Sequence, residues 1–351
     1  MKKILFTGGG SAGHVVPNLA LIEELQTDGK TEISYIGTNG IEKKLVTERN
    51  IPFFEIECPK LIRGGGISAL FQNLKIPTRF LRSVRQAQKI LQRVQPDLVF
   101  SKGGYVSLPV VFAAHKLHVP CLAHESDYSA GLANRIAAKK CKKIFTSFPE
   151  TAKTLPNGEY SGAPMRRTLF GVSKATARKK LGIPKTAKVL LVFGGGSGSR
   201  AINEALRAEL PSLTKLCTVI HVCGKGGIVE SNLKNYQQYE FITDMATAYA
   251  CADLVLSRAG SGTVFEVLAL KKAAVFVPLE GATRGDQLQN AEYFEAKGLC
   301  RVLRQKELLE KLYQTVADAL NDRALATSLQ KQNFSCGNDK LLAEIRAILY
   351  P

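Results

Sequence analysis

Two glycine-rich stretches, each directly after an apolar run, are the first segments of this sequence whose residue types could do chemistry. TGGGSAGHVVPN (residues 7–18) follows KKILF, and FGGGSGSRAIN (residues 193–203) follows KVLLV. A glycine turn between a strand and a helix places backbone N–H groups and the positive helix end at the carboxyl edge of a sheet, where anions bind. The pattern predicts two anion-binding turns of similar design, one in each half of the chain.

The first turn has the glycine spacing of a dinucleotide site but lacks the other residues of such a site. Gly8, Gly10 and Gly13 fit G-x-G-x-x-G, yet the second strand, EISYIGTNG, ends in Gly-Thr without the acidic residue that normally holds a ribose. No Gly-Lys-Ser/Thr follows either turn, so the phosphate-loop pattern is not met. The glycines could also serve only tight strand-to-helix packing. His14, at the helix start, is a candidate proton acceptor, although a lone histidine is often structural.

Further polar loops follow predicted strands in both halves. FSKGGYVSLP and LAHESDYSAGLANR, the latter with the titratable pair His124 and Glu125, belong to the first half. In the second half, LSRAGSGTVFEVLAL runs from Gly260 through Thr263 into a helix that carries Glu266. N–H groups at that helix start could bind a diphosphate and the carboxylate a ribose, or Glu266 could simply favour the positive helix end.

A last polar segment, TRGDQLQNAEYF, contains Asp286, Gln287 and Asn290. These side chains suit sugar hydroxyls, and the alternative is a solvated helix start. Because the polar loops of each half follow strand ends, we expect two polar rims, with the ligand in a cleft between domains.

Strands and helices alternate along the chain, which predicts doubly wound α/β architecture. Continuous apolar runs such as VLLVF and AAVFVPL are typical of strands buried on both faces of a parallel sheet. Pro164, Gly171 and Pro184 interrupt the alternation and place the domain boundary around 161–170. KLLAEIRAILY predicts an amphipathic closing helix. We predict strands near residues 2–7, 32–36, 52–56, 97–101, 119–123, 143–147, 188–193, 218–223, 239–242, 253–257 and 273–278.

The formal net charge of +18 over 351 residues indicates anionic partners: nucleic acid, a phospholipid surface or a phosphorylated substrate. Nucleic acid is disfavoured because aromatic residues make up only 7%, there is no Trp, and no nucleic-acid-reading motif is present. The eight cysteines form no CxxC pair and favour buried thiols in a reducing compartment. No run of about 18 apolar residues or secretory signal is evident, so we expect a cytosolic protein.

Taken together, these segments resemble the MurG family, glycosyltransferases that add N-acetylglucosamine to the lipid-linked muramyl pentapeptide of peptidoglycan. The resemblance implies the GT-B fold, with two Rossmann-like domains across a cleft and the last helix crossing back onto the first domain. We therefore expect an acceptor and membrane domain at 1–163 with helix 338–351, and a donor domain at 164–337. The matching segments, in family order over essentially the whole chain, are TGGGSAGHVVPNLAL, YIGTNGIEKKLV, SKGGYVSLPVVFAA, HESDYSAGLANRIA, SGAPMR, FGGGSGSRAIN, FITDMATAYACADLVLSRAGSGTVFEVLAL, VPL and GDQLQNA.

The same resemblance implies where UDP-N-acetylglucosamine binds. Ile242 would meet the uracil through its backbone, Glu266 the ribose, and Arg166 a nucleotide phosphate. The other residues implied at the donor are Ser261, Gly262 and Thr263 on the diphosphate, Asp286 and Gln287 on the sugar, and Ser11, Ala12, Gly13, Asp127, Gly196 and Ser197.

For the lipid-linked diphosphate acceptor, the resemblance implies contacts from the first glycine turn and its neighbouring loops. The reaction implied is a direct displacement with inversion, which needs a base for the attacking hydroxyl. We predict His14 as base or proton relay and Glu125 as its alternative, with no obligatory metal or cofactor. The residues implied at the acceptor are Gly10, Ser11, Gly13, His14, Tyr105, His124 and Asn134, and those implicated in activity include Tyr105 and Glu125.

Three positions depart from the family pattern. The usual Asn of HEQN is Asp127 here, and the usual Ser of GGSQGA is Gly196, beside Ser197. The usual glutamine pair before NA is Asp286 and Gln287. All three departures concern recognition of donor or acceptor.

Between Glu57 and Asp97 the sequence has no acidic residue, but it has many basic residues interleaved with apolar ones. This pattern predicts peripheral binding to anionic lipid, although the apolar residues could also be ordinary core. Lys139, Lys140, Lys142 and Lys143 would extend the surface. The residues predicted to face the membrane are Ile67, Leu70, Phe71, Leu74, Arg79, Phe80, Arg82 and Arg85.

We therefore expect a peripheral enzyme at the cytoplasmic face of the cell membrane, with cell-wall synthesis proteins as further partners and no nucleic acid. Two enzymatic alternatives are another GT-B transferase, such as one that glycosylates diacylglycerol, and a sugar-nucleotide 2-epimerase. The match across both halves of the chain disfavours them.

Overall fold

The computed structural model describes residues 1–60, 73–196, 198–281, 285–334 and 336–351. Within these residues, three short 3-10 turns accompany the helices and strands. The strands are β1 Lys2–Thr7, β2 Thr31–Gly37, β3 Phe53–Glu55, β4 Leu98–Ser101, β5 Cys121–Glu125, β6 Lys143–Thr146, β7 Gly158–Tyr160, β8 Val189–Phe193, β9 Thr218–Val222, β10 Tyr236–Tyr239, β11 Leu254–Ser257, β12 Ala273–Phe276 and β13 Arg301–Val302.

The helices alternate with these strands almost throughout. They are α1 Val16–Gln26, α2 Ile41–Thr47, α3 Ile76–Val94, α4 Ser107–Lys116, α5 Leu132–Ala138, α6 Pro149–Thr154, α7 Lys174–Lys180, α8 Arg200–Leu216, α9 Met245–Cys251, α10 Ser261–Ala269, α11 Asp286–Glu295, α12 Leu308–Asn321, α13 Arg323–Lys331 and α14 Asn338–Leu349.

The chain forms two compact units, of which the first comprises Met1–Arg166 together with Cys336–Pro351. Its sheet is parallel, with strand order β3-β2-β1-β4-β5-β6-β7. The order reverses between β1 and β4, and in such sheets ligands bind outside the carboxyl ends of the strands at this point. The residues that leave β1 and β4 therefore define the ligand edge of this unit.

Side chains on both faces of this sheet are buried, as the continuous apolar runs predicted. Ile4 and Phe6 of β1 pack into a core on one face, whereas Leu5 packs into a second core that includes Val99 and Val110. Alternate residues of a strand point to opposite faces, so both faces of β1 must be covered by helices. This arrangement confirms the predicted doubly wound architecture.

Helix α14 completes the first unit from the far end of the chain. Its Leu341, Ile345 and Leu349 are fully buried in the same core as Ile4. Asn338, at the helix start, attaches this helix to the end of the first unit's N-terminal segment. Its Oδ1 accepts the Met165 N–H at 2.9 Å, and its Nδ2 donates to the Met165 carbonyl at 2.8 Å. A segment more than 170 residues distant in sequence thus belongs to the first unit.

The second unit, Arg167–Ser335, repeats the plan with strand order β10-β9-β8-β11-β12-β13, again parallel. Leu190, Leu254 and Val275 from its central strands share one core with helices α8 and α12. The order reverses between β8 and β11, which places the second glycine turn and the loop after β11 at its ligand edge.

The predicted strands agree with the structure except near the sheet edges. The strand predicted at 239–242 is β10, which lies three residues earlier at Tyr236–Tyr239, so that prediction was wrong in position. Its sequence, YQQY, is half-buried and polar, because an edge strand needs no continuous apolar run. The short edge strands β7 and β13 were not predicted for the same reason.

Candidate functional site

The first glycine turn leads from β1 into a 3-10 turn at Ala12–His14, and then into α1. Gly10 has φ +84°, and a Cβ added there would lie 2.7 Å from the Tyr105 ring, so only glycine allows this close packing. Ser11 is exposed, and its Oγ lies 3.0 Å from His14 Nδ1. The turn therefore presents Ser11 and Gly13 to solvent and fixes the orientation of the His14 ring.

The loop after β4 packs directly against this turn. Gly104 has φ +82°, and a Cβ there would lie 2.5 Å from the Gly9 carbonyl oxygen and 3.3 Å from His14 Nδ1. Tyr105 follows, and its backbone oxygen accepts the Cys58 thiol at 3.1 Å. The structure thus brings together His14 and Tyr105, which the sequence placed more than 90 residues apart.

A buried carboxylate that was not among the predicted site residues hydrogen-bonds to the backbone of the first glycine turn. Glu42, in the first turn of α2, is fully buried and accepts the Gly10 N–H at 3.2 Å through Oε2. Its Oε1 accepts the Thr38 N–H at 3.0 Å and the Thr38 hydroxyl at 2.5 Å. The Gly10 N–H, predicted to contact an acceptor phosphate, is therefore already paired within the protein. In the sequence, the only indication of this role is an acidic residue just after the loop that follows β2.

Glu125, the alternative base, organises the loop after β5. Its Oε1 accepts the Asp127 N–H at 3.0 Å, and its Oε2 accepts the Gly131 N–H and Asn134 Nδ2, each at 2.9 Å. Burial and the neighbouring Asp127 raise the pKa of Glu125, whereas the N–H donors and Lys102 oppose the rise. With three donors on one carboxylate, Glu125 shapes the loop that carries Asp127 to the site.

His124 and Asn134, predicted at the acceptor, are enclosed by protein. The His124 ring has no exposed surface, and its Nε2 donates to the Gly162 carbonyl at 3.1 Å. Asn134 is only 4% exposed and donates to the His124 carbonyl at 3.2 Å as well as to Glu125. Both side chains hold the β5 loop in place from inside the protein.

Lys102, the first residue after β4, is a second group that the sequence analysis did not single out. Its side chain is 1% exposed, and Nζ donates to Ser126 Oγ at 2.5 Å. Burial lowers the pKa of Lys102 from 10.5 to about 8, against the opposing charges of Glu125 and Asp127. A lone lysine at the end of an apolar strand was the signal in the sequence.

These groups set the charge state of His14. Burial among the surrounding loops lowers the pKa of His14 to about 4, Lys102 adds to the lowering, and Asp127 and Glu42 oppose it. At neutral pH the imidazole is therefore uncharged and has a lone pair that can accept a proton.

The second glycine turn lies between β8 and α8 in the second unit. A Cβ at Gly196 would meet open space, so the glycine that replaces the family's serine leaves room for a side chain. Ser199 caps α8 by accepting the Ile202 N–H and also accepts Arg258 Nη2 at 2.8 Å. Arg258 donates further to the Val277 and Pro278 carbonyls, each at 3.2 Å, and so ties three strand ends together. Ser197 lies outside the described residues.

Helix α10 starts at Ser261 behind Gly260, whose extended backbone directs the first turn of the helix to the ligand edge. Helix starts leave N–H groups without intrahelical partners, and a Cβ at Gly262 would meet open space. Glu266, one turn further, accepts the Tyr249 hydroxyl at 3.1 Å through Oε2. The helix start formed by Ser261, Gly262 and Thr263 therefore lies in the loop and helix that follow β11, with the Glu266 carboxylate one turn further along.

The remaining predicted donor residues lie around these elements. Asp286 begins α11, and the Gln287 amide oxygen accepts the Leu279 N–H at 2.9 Å. Asn290 is fully buried and donates to the Ala259 carbonyl at 3.4 Å, so it joins α11 to the loop before α10. Ile242 follows the end of β10, and Arg166 is the last residue of the first unit's N-terminal segment.

Helix α3, together with Leu74 just before its start, carries the predicted membrane residues that the structure describes. Arg79, Arg82 and Arg85 are exposed, and Leu74 and Leu81 are 67% and 55% exposed. Phe80 is half-buried, with its ring edge-on to Phe112 at 5.4 Å, and the Lys140 ammonium lies 5.8 Å from that ring. The buried residues on the inner face of the helix are Ser83, Ala87 and Leu91. Ile67, Leu70 and Phe71 lie outside the described residues.

Within the part of the chain that the structure describes, no group of three or more His, Cys, Asp or Glu side chains is arranged to hold a metal ion. In the same residues, no helix has the length and apolar character needed to cross a membrane.

Comparison with known proteins covers both units. Residues 4–146 match the N-terminal domain of glycosyltransferase family 28, and residues 189–343 match its C-terminal domain. A Clostridium perfringens relative is 44% identical over 92% of this chain and 91% of its own length. A Bacillus cereus relative is 41% identical over 95% and 96%. Both are named UDP-N-acetylglucosamine--N-acetylmuramyl-(pentapeptide) pyrophosphoryl-undecaprenol N-acetylglucosamine transferase, the second with the suffix 2.

Among solved structures, MurG of Acinetobacter baumannii is similar over 99% of this chain and 100% of its own, with a TM-score of 0.77 and 28% sequence identity. The similarity therefore extends over both sheets and the closing helix.

The Glu42 carboxylate generates a first prediction. Glu42→Ala should lower the free energy of unfolding by about 1–3 kcal/mol, because the Gly10 and Thr38 N–H groups lose a buried, charged acceptor. Amide hydrogen exchange at Gly10 should accelerate in the same variant. Glu42→Gln, which keeps an acceptor oxygen, is the matched control and should lose less. Unchanged exchange at Gly10 in a folded Glu42→Ala variant would show that the carboxylate does not hold the turn.

Proposed function

Because the chain belongs to the MurG family of glycosyltransferases, we propose that it moves N-acetylglucosamine from UDP-N-acetylglucosamine to lipid I, making lipid II for peptidoglycan. The observation that carries this proposal is the 41–44% identity to transferases of that name over about nine-tenths of the chain. The hydroxyl of the acceptor's N-acetylmuramoyl sugar attacks the anomeric carbon, UDP leaves, and the configuration inverts.

His14 accepts the proton of the attacking hydroxyl. The ring is neutral above a pKa of about 4, and Ser11 Oγ lies within hydrogen-bonding distance of Nδ1. When Nδ1 donates to Ser11, Nε2 carries the lone pair and can act as the general base. The three N–H donors on Glu125 favour His14 over Glu125 for this role.

The acceptor diphosphate binds at the first glycine turn through Ser11 and Gly13. These residues are exposed, whereas the Gly10 N–H is paired with Glu42. Gly10 instead contributes by allowing Tyr105 to pack against the turn. Two oriented donors at the start of a helix suit an anion without requiring the third.

UDP-N-acetylglucosamine binds in the second unit. The α10 start, Ser261 to Thr263, stabilises the diphosphate through N–H groups, and Arg166 adds a positive charge as UDP leaves. Glu266, oriented by Tyr249, accepts the ribose hydroxyls. Ile242 contacts the uracil, and Asp286 and Gln287 hold the sugar.

The exposed basic and apolar face of α3, with the preceding Leu74, binds the cytoplasmic surface of the membrane, where a lipid-linked acceptor is located. Arg79, Arg82 and Arg85 attract anionic headgroups, and Leu74 and Leu81 enter the interface. Peripheral attachment brings the first unit to its acceptor, and cell-wall synthesis proteins are further partners.

The proposed reaction is tested by measuring UDP release from UDP-N-acetylglucosamine with a short-chain lipid I analogue. We expect turnover with this pair and at least about 100-fold lower kcat/KM with UDP-glucose, because the acetamido contacts would be lost. UDP-N-acetylglucosamine without acceptor, analysed for epimerised product, separates the epimerase alternative. Absence of turnover in a folded preparation would refute the proposal.

The role of His14 is tested by His14→Ala. Removal of the base should lower kcat by about 10²–10⁴-fold, with little change in the KM for UDP-N-acetylglucosamine, because the groups proposed to hold its uracil, ribose and sugar belong to the second unit. His115→Ala is the matched control, since His115 is an exposed histidine on α4. Near-normal kcat in the His14 variant would assign proton transfer to another group.

The membrane face is tested by replacing Arg79, Arg82 and Arg85 with Glu and measuring sedimentation with phosphatidylglycerol vesicles. At about 1 kcal/mol per surface cation, we expect the affinity to fall by at least about 100-fold. Replacement of the exposed Lys179, Lys185 and Lys234 of the second unit with Glu gives the same change in net charge and should have a much smaller effect. Equal losses in both variants would mean that only net charge matters.

A further inference from the structure

Lys102 is a charged group at the ligand edge of the first unit that neither binds substrate nor transfers a proton in the proposed reaction. Its N–H donates to the Thr7 carbonyl at 2.8 Å, so the backbone at the end of β4 is bonded to the end of β1. A Cβ added at Gly8 would lie 3.0 Å from Lys102 Cβ. The lysine therefore lies against the glycine turn that carries His14, with almost all of its surface removed from water.

A buried ammonium is unfavourable unless carboxylates and hydrogen bonds compensate it. Lys102 donates to Ser126 Oγ, and the flanking residues Glu125 and Asp127 supply the opposite charge. A neutral donor would be enough to hydrogen-bond the Ser126 hydroxyl. The positive charge at residue 102 therefore needs a separate reason.

The charges that face His14 supply the reason. Glu42 approaches from α2 and Asp127 from the β5 loop, and both favour the protonated ring, as does a hydrogen bond to the Gly9 backbone. Lys102, from the β4 loop, is the cation that opposes them. Tyr105, also from the β4 loop, carries no charge at physiological pH, and burial raises its pKa further. Without Lys102, the two carboxylates would favour the protonated imidazole more strongly.

We propose that Lys102 is a positioning residue for the transfer reaction: its buried ammonium, packed against the glycine turn that carries His14, opposes protonation of the His14 ring and so widens the pH range over which His14 can accept a proton. The catalytic part rests on the proposed function, since it requires His14 to be the base. The electrostatic part depends only on the arrangement of Lys102, Asp127, Glu42 and His14. Lys102 acts through these groups without touching substrate.

The test is the titration of His14, followed by NMR of histidine-labelled protein without substrate and assigned with His14→Gln. In Lys102→Met, which removes the charge and keeps the length of the side chain, the His14 midpoint should rise by about one pH unit or more. Lys102→Arg should keep the wild-type midpoint. In Lys102→Met with Asp127→Asn, the midpoint should return towards the wild-type value, because one charge of each sign is removed.

Lys272→Met is the matched control. Lys272 is also a largely buried lysine, with a pKa that burial lowers to about 8, but it belongs to the second unit. Its replacement should leave the His14 midpoint unchanged. Lys102→Gln keeps a donor for Ser126, and it provides the same charge removal if Lys102→Met does not fold.

The kinetic readout is the acidic limb of kcat/KM against pH, which reports the free enzyme's base. In Lys102→Met or Lys102→Gln this limb should move to higher pH together with the NMR midpoint. A midpoint that does not move in a folded variant would overturn the electrostatic role. A midpoint that moves without the acidic limb would overturn the catalytic part, and absence of wild-type turnover would refute the proposed function independently of the NMR result.

Discussion

The contact between the loops that leave β1 and β4 is the constraint on which the first unit's site depends. The Gly104 backbone approaches Gly9 so closely that a Cβ would lie 2.5 Å from its carbonyl, and the Tyr105 ring lies against Gly10. This contact exists because the strand order reverses between β1 and β4, so the two loops emerge side by side. The glycines are thus needed for packing, and the packing places His14 and Tyr105 together.

Buried ionised groups then fix the chemistry of this packed edge. Glu42 bonds to the turn from below, Glu125 shapes the neighbouring loop, and Lys102 lies between the two strand ends. In a medium of low polarity each charge acts strongly on the others, so the state of His14 is a property of the whole group. In the proposed mechanism, paired, hydrogen-bonded charges of this kind hold His14 ready as the base before substrate arrives.

The second unit has the same sheet architecture, but different residues hold its loops at the ligand edge. Its edge is tied by Arg258, which bonds to Ser199 and to two carbonyls after β12, while the α10 start stays directed to the ligand edge. Here the turn after β8 is open enough at Gly196 to accommodate a side chain. Packing therefore does not require glycine at position 196, where the family has serine. At Gly104, by contrast, the packing excludes a side chain.

The sequence by itself determined the doubly wound architecture, the two glycine turns, the closing helix and the family, because apolar runs and strand-to-helix turns are local patterns. The predicted position of the edge strand β10 was wrong by three residues because its half-buried residues form no apolar run. Only the tertiary structure decided that the Gly10 N–H is taken by Glu42, that His124 is enclosed, and that Lys102 faces two carboxylates. Those facts depend on distances between segments that are remote in the chain. A sequence lists the polar groups but does not show which of them are paired.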